Sequence, residues 1–357
     1  MNLLSIKIVC FSQQSEVEKD AIEVNYRTKI VALPALFYKP ETRFGIGAGS
    51  LISLKTKKSD TILRPSQIRI GAAYTQESQI QTQLYFDIWL KSNEYVLYGE
   101  IGYYDFFYYF WGIGGEERVQ ESFNVSFPEI RFEGYKAFRE NLFFGLKYTY
   151  DTYNITRTDD GGRLSDSNYY LGVDGGTISG TGFAAKYDSR DDNFFPTDGY
   201  QINASVERFH SIIGSDFKYT LTTLSSTRYF PLPKGGVLAT NVFGRFAEGD
   251  VPFFHLSAIG GSKRLRGYYE GFHRDKMMLG WQAEYRSPLF WRLRFVAFAG
   301  NAVVAPNIDA FLMRRMRTTA GFGFRFLADR KRNIYLRMDF GFSKESNGAY
   351  FTIGEAF

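Results

Sequence analysis

Apolar and polar residues alternate strictly over Ile334–Ser343, the pattern of a β-strand with two different faces. Successive strand side chains point to opposite faces, and one face here is entirely apolar: Ile334, Leu336, Met338, Phe340 and Phe342. The other face carries Arg337 and Asp339. A soluble sheet turns its charged face to water, whereas a transmembrane barrel turns apolar side chains to lipid and polar ones to the lumen. The segment alone permits both, and the rest of the chain decides.

The same alternation recurs over Gln79–Lys91, Met278–Ser287 and Phe322–Phe326. In each segment Phe, Leu, Ile or Trp alternates with Gly, Gln, Glu or Arg. Segments of about ten to thirteen residues are long enough to cross a bilayer at the usual strand tilt. The sequence therefore predicts an all-β fold, a transmembrane antiparallel β-barrel, with a soluble all-β protein as the alternative.

Composition agrees with a membrane barrel and excludes several other classes. The 35 Phe and 25 Tyr suit the aromatic girdles at the two membrane interfaces. The sequence has no run of about twenty apolar residues, so no transmembrane helix is expected. The single cysteine, Cys10, allows no internal disulfide and no thiolate metal site. A net charge of +5 without a basic cluster argues against nucleic acid as a partner, and no metal or cofactor is predicted.

The strand count is a test of this fold. The sequence has fifteen alternating segments, the first beginning at residue 43 and the last predicted over 349–357. Bacterial single-chain barrels, however, have an even number of strands. Lys29–Tyr38 is the best candidate for a sixteenth strand, and Phe106–Trp111 is the second choice. We therefore expect about 16 strands in one domain over 28–357. Residues 1–27 are interpreted as an atypical or truncated export signal and polar lead-in, or as an ordinary polar tail.

The lengths of the connections predict the orientation of the barrel. The short connections include Arg139–Asn141 and Pro288–Trp291 and would lie in the periplasm. The long ones would be extracellular: 105–123, 154–177, 249–275 and 305–316. The longest of these holds the segment Gly260–Tyr268, which ends in the motif Leu265, Arg266, Gly267 and Tyr268.

This motif resembles the loop-six signature of the BamA/TamA-type outer-membrane protein family, also called the bacterial surface antigen family. It precedes the fifth strand from the end, where that family carries it. Two further features are similar to the family. One is a hairpin with five characteristic residues: Asp188, Arg190, Asp191, Pro196 and Gly199. The other is a C-terminal assembly signal, read by the host barrel-assembly machinery, on Phe351, Ile353 and Phe357.

The resemblance implies that loop 249–275 folds into the lumen, where Arg266 pairs with acidic groups of the wall. Glu284 points inward by alternation and is the first candidate partner. The family's second partner is an aspartate in a Phe-x-Asp motif, but this chain has Phe298-Ala299-Gly300 there. Asp339, which also points inward, is the predicted substitute. The alternative, a solvent-exposed loop arginine, stays open. The same alternation places Glu355 on the lipid-facing row.

The resemblance also implies a lateral seam between the first and last strands, and a role in membrane insertion or translocation of other proteins. About forty residues precede the clear strands, so we expect a barrel-only member without polypeptide-transport-associated domains, in the outer membrane of a Gram-negative bacterium. Expected partners are outer-membrane lipid, the host assembly machinery, and a separate periplasmic subunit or client proteins.

Two other functions stay open: a pore or exporter for a peptide, lipid or small solute, and a plugged structural barrel. A membrane hydrolase would need a histidine beside a serine or a carboxylate pair. His210, His255 and His273 are better interpreted as loop or interface residues. We expect no enzymatic activity and name no catalytic residue.

Overall fold

The computed structural model describes residues 29–54, 66–91, 93–114, 120–159, 161–166, 169–192, 194–312, 314–330 and 333–357. Eleven strands precede the longest connection: β1 Lys29–Lys39, β2 Arg43–Leu54, β3 Ser66–Thr75, β4 Ile80–Leu90, β5 Tyr95–Phe110, β6 Glu121–Arg139, β7 Leu142–Thr158, β8 Gly176–Asp188, β9 Gly199–Phe209, β10 Tyr219–Leu232 and β11 Gly236–Gly249. Two short strands lie within it, β12 Ser257–Ile259 and β13 His273–Asp275. Five strands follow: β14 Met277–Arg286, β15 Leu293–Ala305, β16 Arg317–Asp329, β17 Ile334–Ser343 and β18 Asn347–Ile353.

Within the described residues, all strands except β12 and β13 close one antiparallel barrel of sixteen strands. Each strand pairs with the next, β11 pairs with β14 across the longest connection, and β18 returns to β1. The predicted all-β barrel is confirmed, and Lys29–Lys39 supplies the sixteenth strand. The second-choice segment was wrong as a separate strand, because residues 106–110 continue β5 without a break.

The two faces of the barrel wall differ as the alternation predicts. On β14, Leu279, Trp281 and Tyr285 are exposed on the outside, whereas Glu284 and Arg286 are fully buried inside. An apolar exterior around a charged interior is the arrangement of a membrane barrel. No helix in the described part of the chain is long and apolar enough to cross a membrane.

The extracellular end of the lumen is filled. Strands β5, β6 and β7 are longer than β1 to β4, and the residues that face the lumen near their extracellular ends are mostly aromatic. These residues pack with Phe253 and Phe254 from the connection 250–276, called loop six below. Tyr153 stacks on Phe254 with ring centroids 4.1 Å apart. Loop six therefore enters the barrel through an aromatic cluster that excludes water from this end.

The last four residues leave the barrel wall, so the predicted strand over 349–357 was wrong at its end. Strand β18 ends at Ile353, and Gly354 has a φ of 77°, which favours glycine and breaks the alternation. Glu355, expected on the lipid-facing row, instead lies inside with its Oε2 atom 2.8 Å from Arg325 Nε. Phe357 packs inside against a cluster that includes Phe195. Pairing a carboxylate with a buried guanidinium explains the inward turn, since either charge alone would be costly to bury.

Replacing Glu355 with alanine is expected to lower the free energy of unfolding by about 2 kcal/mol, the range for a hydrogen bond to a charged group. The measurement is the urea midpoint of the folded, fast-migrating band on a gel. Glu94→Ala is the matched control, because Glu94 pairs with Lys136 at 4.0 Å in an exposed periplasmic turn. Equal midpoints for the two variants would contradict the inward placement of Glu355.

Candidate functional site: loop six and the buried charge network

Loop six is folded by its own short hairpin and by several glycines. Strand β12 pairs with β13 from Ser257 opposite Asp275 to Ile259 opposite His273. Gly260 and Gly261 follow with φ of 109° and 83°, values that favour glycine. The N–H of Gly261 donates to the carbonyl of Tyr268 at 3.0 Å and closes the loop on itself. Within this closed loop the motif Leu265–Tyr268, called the loop-lock motif, lies against the barrel wall.

Arg266 is 1% exposed, so the solvent-loop alternative is wrong for this residue. Its Nη1 atom lies 2.5 Å from Asp339 Oδ2, and its Nη2 atom lies 2.7 Å from Glu284 Oε2. The contact to Asp339 has the geometry of a hydrogen bond. The contact to Glu284 is a close ion pair that lacks hydrogen-bond geometry. The guanidinium also lies over the Phe298 ring, 3.6 Å from its centroid. Both carboxylates nominated from the sequence thus contact Arg266.

These contacts belong to a larger buried network of Arg266, Arg286, Arg325, Arg337, Glu284, Asp339 and Glu355. Arg325 connects its parts, with Nη1 at 2.6 Å from Asp339, Nη2 at 3.4 Å from Glu284 and Nε at 2.8 Å from Glu355. Arg286 Nε lies 2.8 Å from Glu284. Arg337 Nε lies 3.5 Å from Asp339 Oδ2, and Arg286 Nη2 also donates to the Phe357 backbone oxygen at 3.1 Å. Each of the three side-chain carboxylates therefore contacts more than one guanidinium. Such charge-assisted hydrogen bonds fix geometry strongly in a dry interior.

Gly300 stands where the family's aspartate was expected, and its surroundings are tight. A Cβ atom added to Gly300 would lie 2.7 Å from the Trp281 carbonyl oxygen and 2.9 Å from Gln282 Cβ. Asp339 on β17 approaches Arg266 from another strand and supplies the second carboxylate.

Two glycines let the backbone of loop six lie directly on the wall. A Cβ atom added to Gly341 would lie 2.4 Å from the carbonyl carbon and oxygen of Arg266. A Cβ atom added to Gly267 would lie 2.8 Å from the backbone nitrogen of Phe342, and Gly267 has a φ of 118°. Ser346 Oγ donates to the Gly267 carbonyl at 2.5 Å. The motif requires glycine at 267 because of both this close approach and its backbone conformation.

The rest of the motif is apolar packing. Leu265 and Tyr268 are buried together with Phe243 and Met278 of the barrel wall. Leu265 adopts a φ of 46°, in the left-handed region that residues other than glycine rarely enter. Burial of both side chains keeps this strained backbone in place.

The entry of loop six is held by a histidine that sequence reasoning placed in a loop or interface. His255 is buried, with Nε2 at 2.9 Å from Arg245 Nη2 and Nδ1 at 2.6 Å from Tyr219 Oη. A guanidinium only donates, so Nε2 accepts and the proton sits on Nδ1. Burial and the Arg245 charge hold the pKa of His255 well below its usual range, and the ring stays neutral. Alternation on β10 and β11 alone could not indicate that these inward residues meet a loop.

The hairpin between β8 and β9 is held by its own carboxylates. Arg190 makes two hydrogen bonds of 2.8 Å to Asp188. Asp191 accepts from the backbone nitrogens of Thr197 and Asp198, a common way of fixing a turn. The carbonyl of Pro196 accepts from Arg286 at 3.4 Å. Gly199 has a φ of 103°, and its Cβ would lie 2.2 Å from the Ser189 carbonyl oxygen. The hairpin thus contacts the charge network from the periplasmic end.

The predicted C-terminal signal residues lie in different surroundings. Phe351 stands opposite Tyr38 in the seam, Ile353 is the last residue of β18, and Phe357 lies inside the barrel. In the described residues, Tyr38 and Phe351 are the one pair in register between β1 and β18, whereas β1 pairs with β2 along its whole length. The seam is therefore the shortest ladder of the barrel.

The other two histidines have ordinary contacts. The N–H of Ile212 donates to His210 Nδ1 at 3.2 Å, and His273 Nε2 lies 2.9 Å from Glu345. Among the described residues, no three His, Cys, Asp or Glu side chains are placed to hold a metal ion.

An apolar outer wall and a charged lumen define an integral barrel of the outer membrane. The model of the Omp85 superfamily domain matches residues 64–357, and the chain belongs to this superfamily. A comparison with curated proteins finds no match.

Solved structures share the fold at low identity. BamA from Haemophilus ducreyi lacking POTRA domains 1-3 is 18% identical, with a TM-score of 0.58, over 92% of this chain and 70% of that one. CdiB from Acinetobacter baumannii is 12% identical, with a TM-score of 0.58, over 91% and 59%. CdiB from Escherichia coli is 9% identical, with a TM-score of 0.60, over 90% and 62%. This chain therefore spans about three fifths of the length of the two CdiB chains.

Proposed function

We propose that this Omp85-superfamily barrel assists membrane insertion or translocation of other proteins. The observation that carries the proposal is the contrast between two parts of the same wall. Among the residues that the structure describes, the β1–β18 ladder is one residue pair long, whereas loop six beside it is held by a buried charge network.

A short ladder leaves backbone N–H and C=O groups near the seam without a strand partner. Such groups are a template for an incoming strand, which adds by main-chain hydrogen bonds. Loop six lies against β17 at Gly341 and against β18 at Tyr350, directly beside this edge. In the proposed mechanism the network keeps loop six inside while the seam separates and a client strand pairs there. Clients, outer-membrane lipid and a separate periplasmic subunit are the proposed partners, and we propose no catalytic chemistry.

A pore or exporter is the second candidate, favoured by the lumen opposite loop six. A cavity of about 170 Å³ there is lined by charged and phenolic side chains, among them Arg69, Glu100, Arg131 and Glu133. Arg131 pairs with Asp151, so much of this charge is compensated within the wall. The aromatic cluster around Phe253 and Phe254 closes the extracellular end, and a solute path would need loop six to move.

The test is a folding assay in liposomes. Purified protein is reconstituted, and the rate at which a urea-denatured small barrel becomes protease resistant is followed. We expect faster folding than in empty liposomes, a loss of this gain in Arg266→Ala, and no loss in Arg208→Ala. Arg208 is an exposed arginine of β9 that bonds Thr220 outside the network. No gain over empty liposomes, with folded barrel present, would contradict the proposal and favour the pore, which single-channel conductance then tests.

A further inference from the structure

Loop six makes hydrogen bonds to both sides of the seam. On the last strand, Tyr350 Oη accepts from the N–H of Gly267 at 3.1 Å and donates to the carbonyl of Tyr268 at 3.2 Å. On the other side, Glu41 follows β1 in the turn to β2, and its Oε1 atom accepts from the N–H of Glu270 at 2.8 Å. Residues 267–270, called the strap below, thus connect the two edges that the short ladder leaves nearly unpaired.

These hydrogen bonds lie where water does not compete. Tyr350 is 1% exposed and Glu41 is 4% exposed. A buried donor that loses its partner costs more than an exposed one, because no water replaces the bond. The strap is also short, so Gly267 and Glu270 cannot lie more than about 10 Å apart. Separation of β1 from β18 must therefore break the bond to Glu41 or the bonds to Tyr350.

We propose that Glu41 and Tyr350 are positioning residues that make loop six the closure of the seam. The strap, and not the β1–β18 ladder, holds the two edges together in the resting barrel. This inference goes beyond the assembly function, because closure is a property of the resting protein and is measured without a client.

The charges around Glu41 make this closure sensitive to pH. Burial and the neighbouring Glu270 carboxylate raise the pKa of Glu41 to about 7. Several titratable groups surround it: Lys39 on β1, Tyr108 on β5, Glu270 and Tyr269 of loop six, and Tyr350 on β18, with Lys263 and Arg337 beyond Lys39. A pKa raised in the closed state above the ordinary value of 4.5 stabilises closure fully below that value. The contribution is lost as the pH rises through about 7.

The test is amide hydrogen exchange of the intact chain in liposomes, followed by mass spectrometry on peptides covering 36–39 and 349–353. Tyr350→Phe removes both bonds of the phenol, and Glu41→Ala removes the acceptor for Glu270. For each variant we expect exchange of the seam peptides to rise at least about fivefold, the equivalent of one hydrogen bond. Peptides from β9 and β10 report whether the barrel is folded and should not change.

Matched controls separate the strap from general effects of lost buried groups. Tyr135→Phe removes a lumenal phenol that bonds Glu133 at 2.8 Å on β6. Glu121→Ala removes a buried carboxylate that accepts from the N–H of Leu164 at 2.9 Å, far from the seam. Neither should change exchange of the seam peptides. Unchanged seam exchange in Tyr350→Phe and Glu41→Ala, with folded barrels, would overturn the proposal.

A second readout addresses Glu41 directly. After correction for intrinsic exchange, the seam peptides of the wild-type chain should open several-fold more at pH 8 than at pH 5. Glu41→Gln keeps the acceptor oxygen and removes the charge, so the difference between the two pH values should shrink, with the raised pKa of Glu270 leaving part of it. A wild-type seam that opens equally at both values would overturn the role assigned to the Glu41 charge.

Discussion

Replacing Glu284 with alanine is expected to destabilise the barrel by about 3–5 kcal/mol, the usual cost of leaving buried charge without its partner. Glu284 neutralises three guanidiniums at once, those of Arg266, Arg286 and Arg325. Its loss removes a buried partner from all three at once. Arg266→Ala should cost less, because Glu284 keeps Arg286 and Arg325 as partners and Asp339 keeps Arg325 and Arg337, although loop six loses its anchor. We therefore expect Glu284→Ala to be the more damaging of the two variants.

The measurement is the urea midpoint of the folded band for each variant. Glu133→Ala is the matched control, because Glu133 also points into the lumen but lies 3.4 Å from Lys147 in a more exposed site. Its loss should cost about 1 kcal/mol or less. A larger loss in Arg266→Ala than in Glu284→Ala would contradict the role of Glu284 as the shared partner of three guanidiniums.

Adding one methyl group at Gly341 is also expected to destabilise the barrel strongly. In Gly341→Ala the new Cβ would lie 2.4 Å from backbone atoms of Arg266, which cannot rotate away as a side chain could. Either β17 or loop six must shift, and the Arg266 contacts are lost with it. We expect a loss of about 3 kcal/mol in the free energy of unfolding, at the upper end of the range for overpacking.

Gly134→Ala is the control for this substitution. Gly134 is also a strand glycine, but its Cβ would meet only ordinary contacts, 3.4 Å from Leu97 Cδ2 and 3.7 Å from Phe132 Cε1. The urea midpoint of Gly134→Ala should lie close to that of the wild-type chain. If Gly341→Ala behaves in the same way, loop six does not lie against β17 as described.

The barrel wall could be predicted from the sequence because alternation is a local property. A strand buried on one face and lipid-exposed on the other repeats every two residues, which located most strand ends to within a few residues. The same parity placed Glu284 and Asp339 inside. Parity also located the sixteenth strand, since an even number requires one more segment than the clear ones.

The wrong predictions concern segments where the alternation of apolar and polar residues is hidden or ends. Residues 106–110 looked like a separate segment because a run of aromatics hides the alternation, yet the strand simply continues. The inward turn of Glu355 depends on the conformation of Gly354 and on the distant Arg325. Glycine in the sequence permits such a conformation and does not require it.

Contacts between loop six and the wall were the least predictable part of the site. His255 meets Arg245 and Tyr219 from other parts of the sequence, and Glu41 meets Glu270 across more than two hundred residues. Only the family motif indicated that the loop turns inward at all. The wall residues that contact the rest of loop six could not be assigned from the sequence, because those contacts depend on which strands the closed barrel brings together.

We infer that Arg266 holds loop six inside the lumen, and trypsin digestion of sealed liposomes tests this claim. Lys263 and Arg264 immediately precede the motif, and the Lys263 carbonyl accepts from Gln282 of the wall at 3.0 Å. We predict that the wild-type chain resists cleavage after these residues, whereas folded Arg266→Ala and Asp339→Asn barrels are cut there. Cleavage of the folded wild-type chain at the same rate as the variants would contradict the claim.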